Sequence, residues 1–427
     1  MVIALPLMDK FHVFKFGGAS VKDAAGVRRL AEVLRPFPSW DLVVVVSAMG
    51  KTTNALEQVV QAYRRGEQSL TKKLSADLHR FHFGVARQLF PQGHPQLEEA
   101  LGALFLAFEQ ELAVPPEGNY NRLYDRLVSF GELWSTQIVS HFLQAQGFEH
   151  QWLDARQWIR TDQNYRFARV DWLQSQRLVG RAIARGGNYL TQGFIGADGH
   201  QHPTTLGREG SDYTASVLAY LLDADEVIIW KDVPGVLNGD PKVFVQTELL
   251  EQLSYREAIE LAYYGASVIH PKTIQPLQQK NIPLRVRSFV DPASAGTRIG
   301  EGPDLHPAIP CYICKDQQVL LRLSTVDLTF VVEDHLSLIY RLFHQHGARV
   351  NLSQNSAVSS SFCLNNDPVV LPALQEELAK TFAVEALEGV SLYTVRHPNK
   401  EAQERVRAAG EVLLEQITRN TYQVVVA

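Results

Sequence analysis

The 427-residue chain predicts an α/β fold, a mainly parallel sheet sandwiched by helices, followed by a smaller α+β region. Three observations carry that prediction. The valine-rich run Leu42–Ser47 reads as a strand buried on both faces, as in a parallel sheet. Up to residue 230 such strands alternate with helical segments, which implies crossover connections. Past a Gly- and Pro-rich stretch at 296–307 the rhythm becomes strand, helix, strand, strand, helix, strand, a small ligand-binding type of unit. A chain of this length is expected to form two or three domains.

The elements follow in order. Val13–Phe16 is the first strand, and Lys15, Gly17, Gly18, Ala19 and Ser20 form a loop at its end. Two glycines let the backbone approach a ligand closely. Ser20 is expected to cap a helix over Val21–Leu34, whose free N–H groups suit a phosphate, with Lys15 as a point charge. The spacing is neither that of a Walker A loop nor the dinucleotide fingerprint. After the strand at 42–47, the loop Ser47-Ala-Met-Gly-Lys-Thr-Thr-Asn54 offers hydroxyls at the same sheet edge. Residues 53–146 read as helical, broken near Pro91, Gly93 and Pro95 and again at Pro115-Pro116. Within them Ser129-Phe-Gly-Glu132 places a glutamate among Leu127, Val128, Leu133 and Trp134, an apolar setting that suggests a partner cation.

Tyr189–Ile195 and Glu226–Trp230 return as strands around a helix over Ser211–Leu222. Ser211 or Asp212 is expected to cap that helix. Arg208, between two glycines, is suited to a carboxylate or phosphate. Lys15, Ser47, Phe194 and Lys231 all fall at strand ends, where ligands bind in such sheets. Val233-Pro-Gly235 and Asn238-Gly-Asp-Pro241 are turn chemistry; a functional reading sets Asp232 near a ribose or adenine edge and Lys242 near phosphate. After the strand Leu284–Ser288 and the boundary come strands Val319–Ser324, Arg349–Asn355, Ala357–Leu364 and Val384–Leu387, with helices Asp334–His346 and Pro368–Thr381. Val390–Ala427 adds a strand, a short helix and two strands.

Composition excludes several classes. A net charge of −5 argues against nucleic-acid binding. No apolar run reaches the roughly 18 residues of a membrane span. The N-terminus lacks the basic region of a signal peptide. Three cysteines fit a reducing compartment, so a cytoplasmic protein is expected. Cys311 and Cys314 lie on a predicted strand over 308–314 and face opposite sides, and the helically spaced His79 and His82 have no ligand cluster beside them. No protein-held metal is expected.

The motifs at 15–20, 47–54 and 129–132, with Gln192-Gly-Phe-Ile-Gly196, Thr205-Leu-Gly-Arg-Glu-Gly-Ser-Asp212, Lys231–Gly235 with Asp240-Pro241, and Gly265–Pro271, stand in an order that resembles the aspartokinases over nearly the whole chain. The resemblance implies an amino-acid kinase fold over 1–305 and a regulatory region of two ACT-like units over 306–427. The first unit would be 315–388, and 306–314 with 389–427 would close the second. It also implies ATP- and Mg²⁺-dependent phosphorylation of the L-aspartate side chain, with Mg²⁺ carried by ATP. Lys15, Gly17, Gly18 and Asp212 would serve catalysis. Ser47, Thr53, Glu132, Phe194, Arg208 and Ser211 would hold aspartate, Glu132 facing its α-amino group and Arg208 a carboxylate. Lys15, Gly17, Gly18, Ser20, Lys231, Asp232, Asp240 and Lys242 would contact ATP. Ser337, Asn351, Gln354 and Asn355 would lie at the site of an amino-acid effector, lysine or threonine; their plainer reading is as strand and turn caps. A homodimer through the ACT region is implied. A fused homoserine dehydrogenase is not expected, since no residues follow Ala427. Ala19, Leu237, Ser267 and Glu209 depart from the commoner family pattern. Kinases of the same fold acting on glutamate, acetylglutamate or UMP fit the motifs less well, and a sensor that keeps the fold without strong catalysis is the rival of a different class.

Overall fold

The computed structural model describes residues 11–37, 41–116, 118–266, 269–326 and 330–427; Ser267 lies outside them. Two compact units emerge, one of Met1–Val236, Leu249–Ala258 and Ile269–Asp304, the other of Leu237–Glu248, Ile259–Val268 and Leu305–Ala427. Among the described residues no helix is long and apolar enough to cross a membrane.

In chain order the elements begin with β1 (His12–Phe16), α1 (Ala24–Leu34), β2 (Leu42–Val46), α2 (Thr52–Arg64), α3 (Gln68–Leu89), α4 (Pro95–Ala113), α5 (Tyr120–Val128) and α6 (Phe130–Ala145). Next come β3 (Gln151–Leu153), α7 (Ala155–Trp158), α8 (Trp172–Ala182), β4 (Tyr189–Gln192), β5 (Ile195–Ala197), β6 (Pro203–Thr205), α9 (Gly210–Leu222) and β7 (Glu226–Lys231). They continue with β8 (Gln252–Ser254), α10 (Tyr255–Tyr264), α11 (Pro271–Gln279), β9 (Leu284–Ser288), β10 (Thr297–Gly300) and β11 (Leu305–His306).

The sheet of the first unit runs β8-β10-β9-β7-β1-β2-β4-β3. Its pairs are parallel except that of β9 with β10. Val13 sits in register with Val43 on one side and Val227 on the other. β1 and β2 are buried along their whole length, so both faces are covered, as the valine run requires. The helix α9 is buried nearly all round and packs on β1, β2 and β7; its apolar composition on every side fits that central place.

Three local expectations are corrected. The first helix starts at Ala24, not Val21, and its N-cap is Asp23, whose carboxylate accepts the Gly26 N–H at 2.8 Å. Ser20 is instead folded into a turn, its N–H donating to the Gly17 carbonyl at 2.9 Å and its hydroxyl to the Trp230 carbonyl at 3.3 Å. The strand expected over Tyr189–Ile195 breaks at Gly193-Phe194, where Phe194 takes φ +69°. Neither Ser211 nor Asp212 caps α9: both lie in its first turn, and the cap position is Glu209, left-handed at φ 52° and without a side-chain cap bond.

The second unit holds β12 (Cys311–Thr325), α12 (Glu333–His346), β13 (Val350–Asn355), β14 (Ser359–Asn365), α13 (Val370–Leu378), β15 (Phe382–Arg396), α14 (Lys400–Arg407), β16 (Val412–Ile417) and β17 (Thr421–Val426). The strands β12–β17 form one antiparallel sheet in the order β13-β14-β12-β15-β17-β16. The separate strands expected at 308–314 and 319–324 are a single strand, as are those at 384–387 and 390 onward. The β12–β15 ladder shifts register between Lys315 and Gln318 and again between Gln318 and Val319, opposite Gly389 of β15, whose φ is +74°. The far half of β12, α12, β13, β14, α13 and the near half of β15 make one βαββαβ unit. The far half of β15, α14, β16, β17 and the near half of β12 make a second, interlocked with it. Val319, Leu321 and Leu323 turn to α12 and α13, against Ile339, Phe343 and Leu374. Leu320 turns the other way, to Leu352, Cys363 and Leu392.

Candidate active site

The parallel strands β1, β2 and β7 end on one side of the sheet, and their last residues supply the site. Lys15, on β1, reaches the first turn of α9, its Nζ 2.5 Å from Asp212 Oδ1. Lys231, at the end of β7, brings its Nζ to 3.6 Å from Asp212 Oδ2. Burial pushes the Asp212 pKa up, but the ammonium groups of Lys15 and Lys231 outweigh it and hold the carboxyl below its ordinary range. The result is an ionised carboxylate between two cations at the start of a buried helix.

Gly18 is there for close packing. A Cβ would stand 2.9 Å from the carbonyl oxygens of Ala48 and Gly50, and the Gly50 N–H donates to the Gly18 carbonyl at 3.0 Å. The Gly17–Ser20 turn and the loop after β2 are thus fitted together. Ser47 follows β2, and its carbonyl accepts the Ser135 hydroxyl at 2.7 Å.

Glu132 stands on α6 just past the Ser129 junction with α5. It is buried, Oε1 accepts only a long 3.4 Å bond from the Ala48 N–H, and Oε2 has no partner. Burial drives its pKa up to about 8. A buried carboxyl group left half-satisfied is costly, and the position is suited to a cation.

The far wall is the loop into α9. Phe194 donates its N–H to Thr214 Oγ1 at 2.9 Å, and its ring lies so close to Gly210 that a Cβ there would stand 2.5 Å from it. Glu209 accepts the His270 N–H at 2.9 Å. Lys272 donates to the Leu206 carbonyl at 3.0 Å and sits over the Tyr213 ring. Arg208 is exposed on this loop.

A cavity of about 650 Å³ brings together Lys15, Gly18, Ser47, Thr53, Glu132, Phe194, Arg208, Ser211, Asp212 and Lys231. The other expected site residues fall elsewhere. Gly17 is not on the wall, although a Cβ there would come 3.1 Å from Lys15 Nζ. Ser20 is buried beneath Trp230, and Asp232 is exposed beyond β7. Asp240 and Lys242 belong to the second unit, where the Asp240 carboxylate accepts the Lys242 N–H in a turn. Leu237 is in that unit too. Asn351 lines a separate cavity of about 270 Å³ with Lys315 and Arg349; its side chain is already bonded to Lys315, Gln318 and Asn365. Ser337, Gln354 and Asn355 are exposed on α12 and the edge strand β13.

Sequence reasoning missed Glu57, Tyr124 and Arg166 on the cavity wall. Behind them Asp125, buried, accepts from the Thr205 hydroxyl at 2.6 Å and from the N–H groups of Thr205 and Arg166 at 2.9 Å. Burial raises its pKa to about 6 in spite of these bonds. Thr205 opens a motif already singled out; the other residues carry no local signal.

Among the described residues no group of three or more His, Cys, Asp or Glu is placed to hold a metal ion. Cys311 and Cys363 are buried and Cys314 half-buried, all as free thiols.

The model of the amino-acid kinase family matches residues 10–288. The chain is 32% identical over 398 residues to the lysine-sensitive aspartokinase 3 of Escherichia coli, covering 90% of this chain and 86% of that one. It is 28% identical to a bifunctional aspartokinase/homoserine dehydrogenase of Zea mays, of whose length it spans 40%. Among solved structures, E. coli aspartokinase III with lysine and aspartate superposes at a TM-score of 0.81 and 28% identity, over 97% of this chain and 96% of that one. The same enzyme with aspartate and ADP gives 0.79 and 27%, over 98% and 96%. Matched in sequence over most of its length and in fold over nearly all of it, the chain belongs to the aspartokinases of the amino-acid kinase family.

Proposed function

We infer that the protein is an aspartokinase: it transfers the γ-phosphoryl group of ATP to the side-chain carboxylate of L-aspartate, giving 4-phospho-L-aspartate at the entry to lysine, threonine and methionine synthesis. The observation that carries this is the pairing, in one cavity, of a buried half-satisfied Glu132 with the Lys15–Asp212–Lys231 cluster. The first receives an ammonium; the second receives phosphates.

In this reading Glu132 takes the α-amino group of aspartate and Arg208 its α-carboxylate, while Ser47, Thr53, Phe194 and Ser211 shape the seat. The acceptor carboxylate is ionised at neutral pH, so it attacks phosphorus without a general base. What remains for the protein is alignment and charge neutralisation. Lys15, reaching from β1 to Asp212, meets the charge that builds on the transferring group. Lys231 and Asp232 serve the nucleotide. The donor set fits Mg²⁺ that would enter with the nucleotide: Asp212 would offer it a hard, ionised oxygen beside the lysines, and phosphate and water would supply the other donors. When bound, that ion neutralises phosphate charge.

The segment through residue 305 is assigned as the catalytic domain and 306–427 as the regulatory region of two ACT-like units. A lysine or threonine effector acting there, a homodimer formed through that region and a cytoplasmic location complete the proposal. The test is trapping of acyl phosphate with hydroxylamine in the presence of ATP and Mg²⁺. Hydroxamate from L-aspartate and not from L-glutamate, falling by about 10² or more in Lys15→Ala, is the expected outcome. A folded protein that yields none from aspartate would refute the reading.

A further inference from the structure

Arg166 is the least expected group on the cavity wall. Its backbone is left-handed, at φ +69°, a conformation that glycine takes freely and a long side chain takes at a cost. It is held there because its N–H donates to the buried carboxylate of Asp125 at 2.9 Å. A strained non-glycine residue at a site points to use rather than packing.

The side chain rests on an aromatic shelf. Its guanidinium carbon is 4.4 Å from the centre of the Tyr124 ring and 5.7 Å from that of Tyr120. The Tyr124 hydroxyl donates to Glu57 at 2.6 Å, which fixes the shelf. Glu57 and Asp125 are thus engaged by other donors: the Arg166 charge acts on the Asp125 carboxylate, but among the described residues no carboxylate forms an ion pair with its guanidinium. Half-buried, it lines the same cavity as Arg208 and Glu132. The other cations there, Lys15 and Lys231, are both spent on Asp212.

We propose that Arg166 is a specificity-determining residue, which joins Arg208 in binding the non-reacting carboxylate of the amino-acid substrate. Stacking leaves the edge of a guanidinium free to donate, and a planar fork matches a carboxylate. The inference rests on the amino-acid kinase reading above. It concerns ground-state binding, so it moves KM rather than kcat.

The test uses Arg166→Gly, which removes the side chain while suiting the backbone, and Arg166→Lys, which keeps the charge. Binding of L-aspartate is measured by calorimetry on the full-length protein, and KM and kcat by the hydroxamate assay. Arg166→Gly is expected to weaken aspartate binding and raise its KM by about tenfold, with kcat and the KM for ATP within about twofold. Arg166→Lys is expected to recover part of the loss. Unchanged aspartate binding in Arg166→Gly would overturn the proposal, as would a rise confined to the KM for ATP. A wild type that binds aspartate but forms no hydroxamate would defeat the activity reading alone, and the calorimetric comparison would still decide the role of Arg166.

Discussion

Glu132 sets burial against charge more sharply than any other residue of the cavity. With its folded pKa raised from 4.5 to about 8 by burial, the substrate-free protein holds a proton there at neutral pH that the unfolded chain does not. The native state binds the extra proton between those values. The stability of the substrate-free protein therefore falls as pH rises from 4.5 to about 8, by at most about 1.4 kcal/mol per pH unit from this group, and levels off above. An ammonium seated at Oε2 favours the ionised form and expels the proton. Aspartate binding near pH 7 is accordingly expected to release up to one proton, read as a binding heat that varies with the ionisation enthalpy of the buffer. Glu132→Gln should remove that dependence and weaken binding by about tenfold or more. A heat independent of buffer in the wild type would exclude Glu132 as the ammonium partner.

At the scale of the elements, the parallel strands were legible because burial on both faces demands unbroken apolar runs. The ends of the helices were harder. Ser20 and Asp23 are both good cap residues, and the choice between them rests on the Trp230 carbonyl, 210 positions away along the chain, which claims the Ser20 hydroxyl. Asp23→Ala should therefore cost about 1 kcal/mol, measured as a lower urea midpoint with an unchanged slope. Ser20→Ala should leave the start of α1 in place. The break at Gly193-Phe194 was hidden for a related reason: a Cβ on Gly193 would stand 2.4 Å from that of Ser211, a contact made only once α9 is docked. The cavity divides the same way. Its lysines, Glu132 and the loop around Arg208 sit in strings whose spacing carries meaning. Glu57, Tyr124 and Arg166 come from three separate stretches, and a left-handed arginine has no compositional sign.

At the scale of the second unit as a whole, the merging of predicted strands changes what is expected of its stability. Had 308–314 and 319–324 been separate strands, each βαββαβ unit would have had its own edges and its own unfolding. Instead β12 and β15 each run through both, paired with one another from Cys311↔Arg396 to Thr325↔Phe382. The two halves keep distinct cores, one around Phe343 and Phe362, the other around Val395, Val406 and Tyr422. The β12–β15 pair is the centre of both halves. The unit is thus expected to open as one cooperative block, with amides of β14 and β17 exchanging at the same free energy. Phe362→Ala, at a completely buried position, should cost about 3–5 kcal/mol and lower the protection of β17 as much as that of β14, although Phe362 lies in the first core only. Hydrogen exchange resolved by residue measures both at once. Protection of β17 that survives the substitution would mean that the register shifts between Lys315 and Val319, opposite Gly389, uncouple the halves.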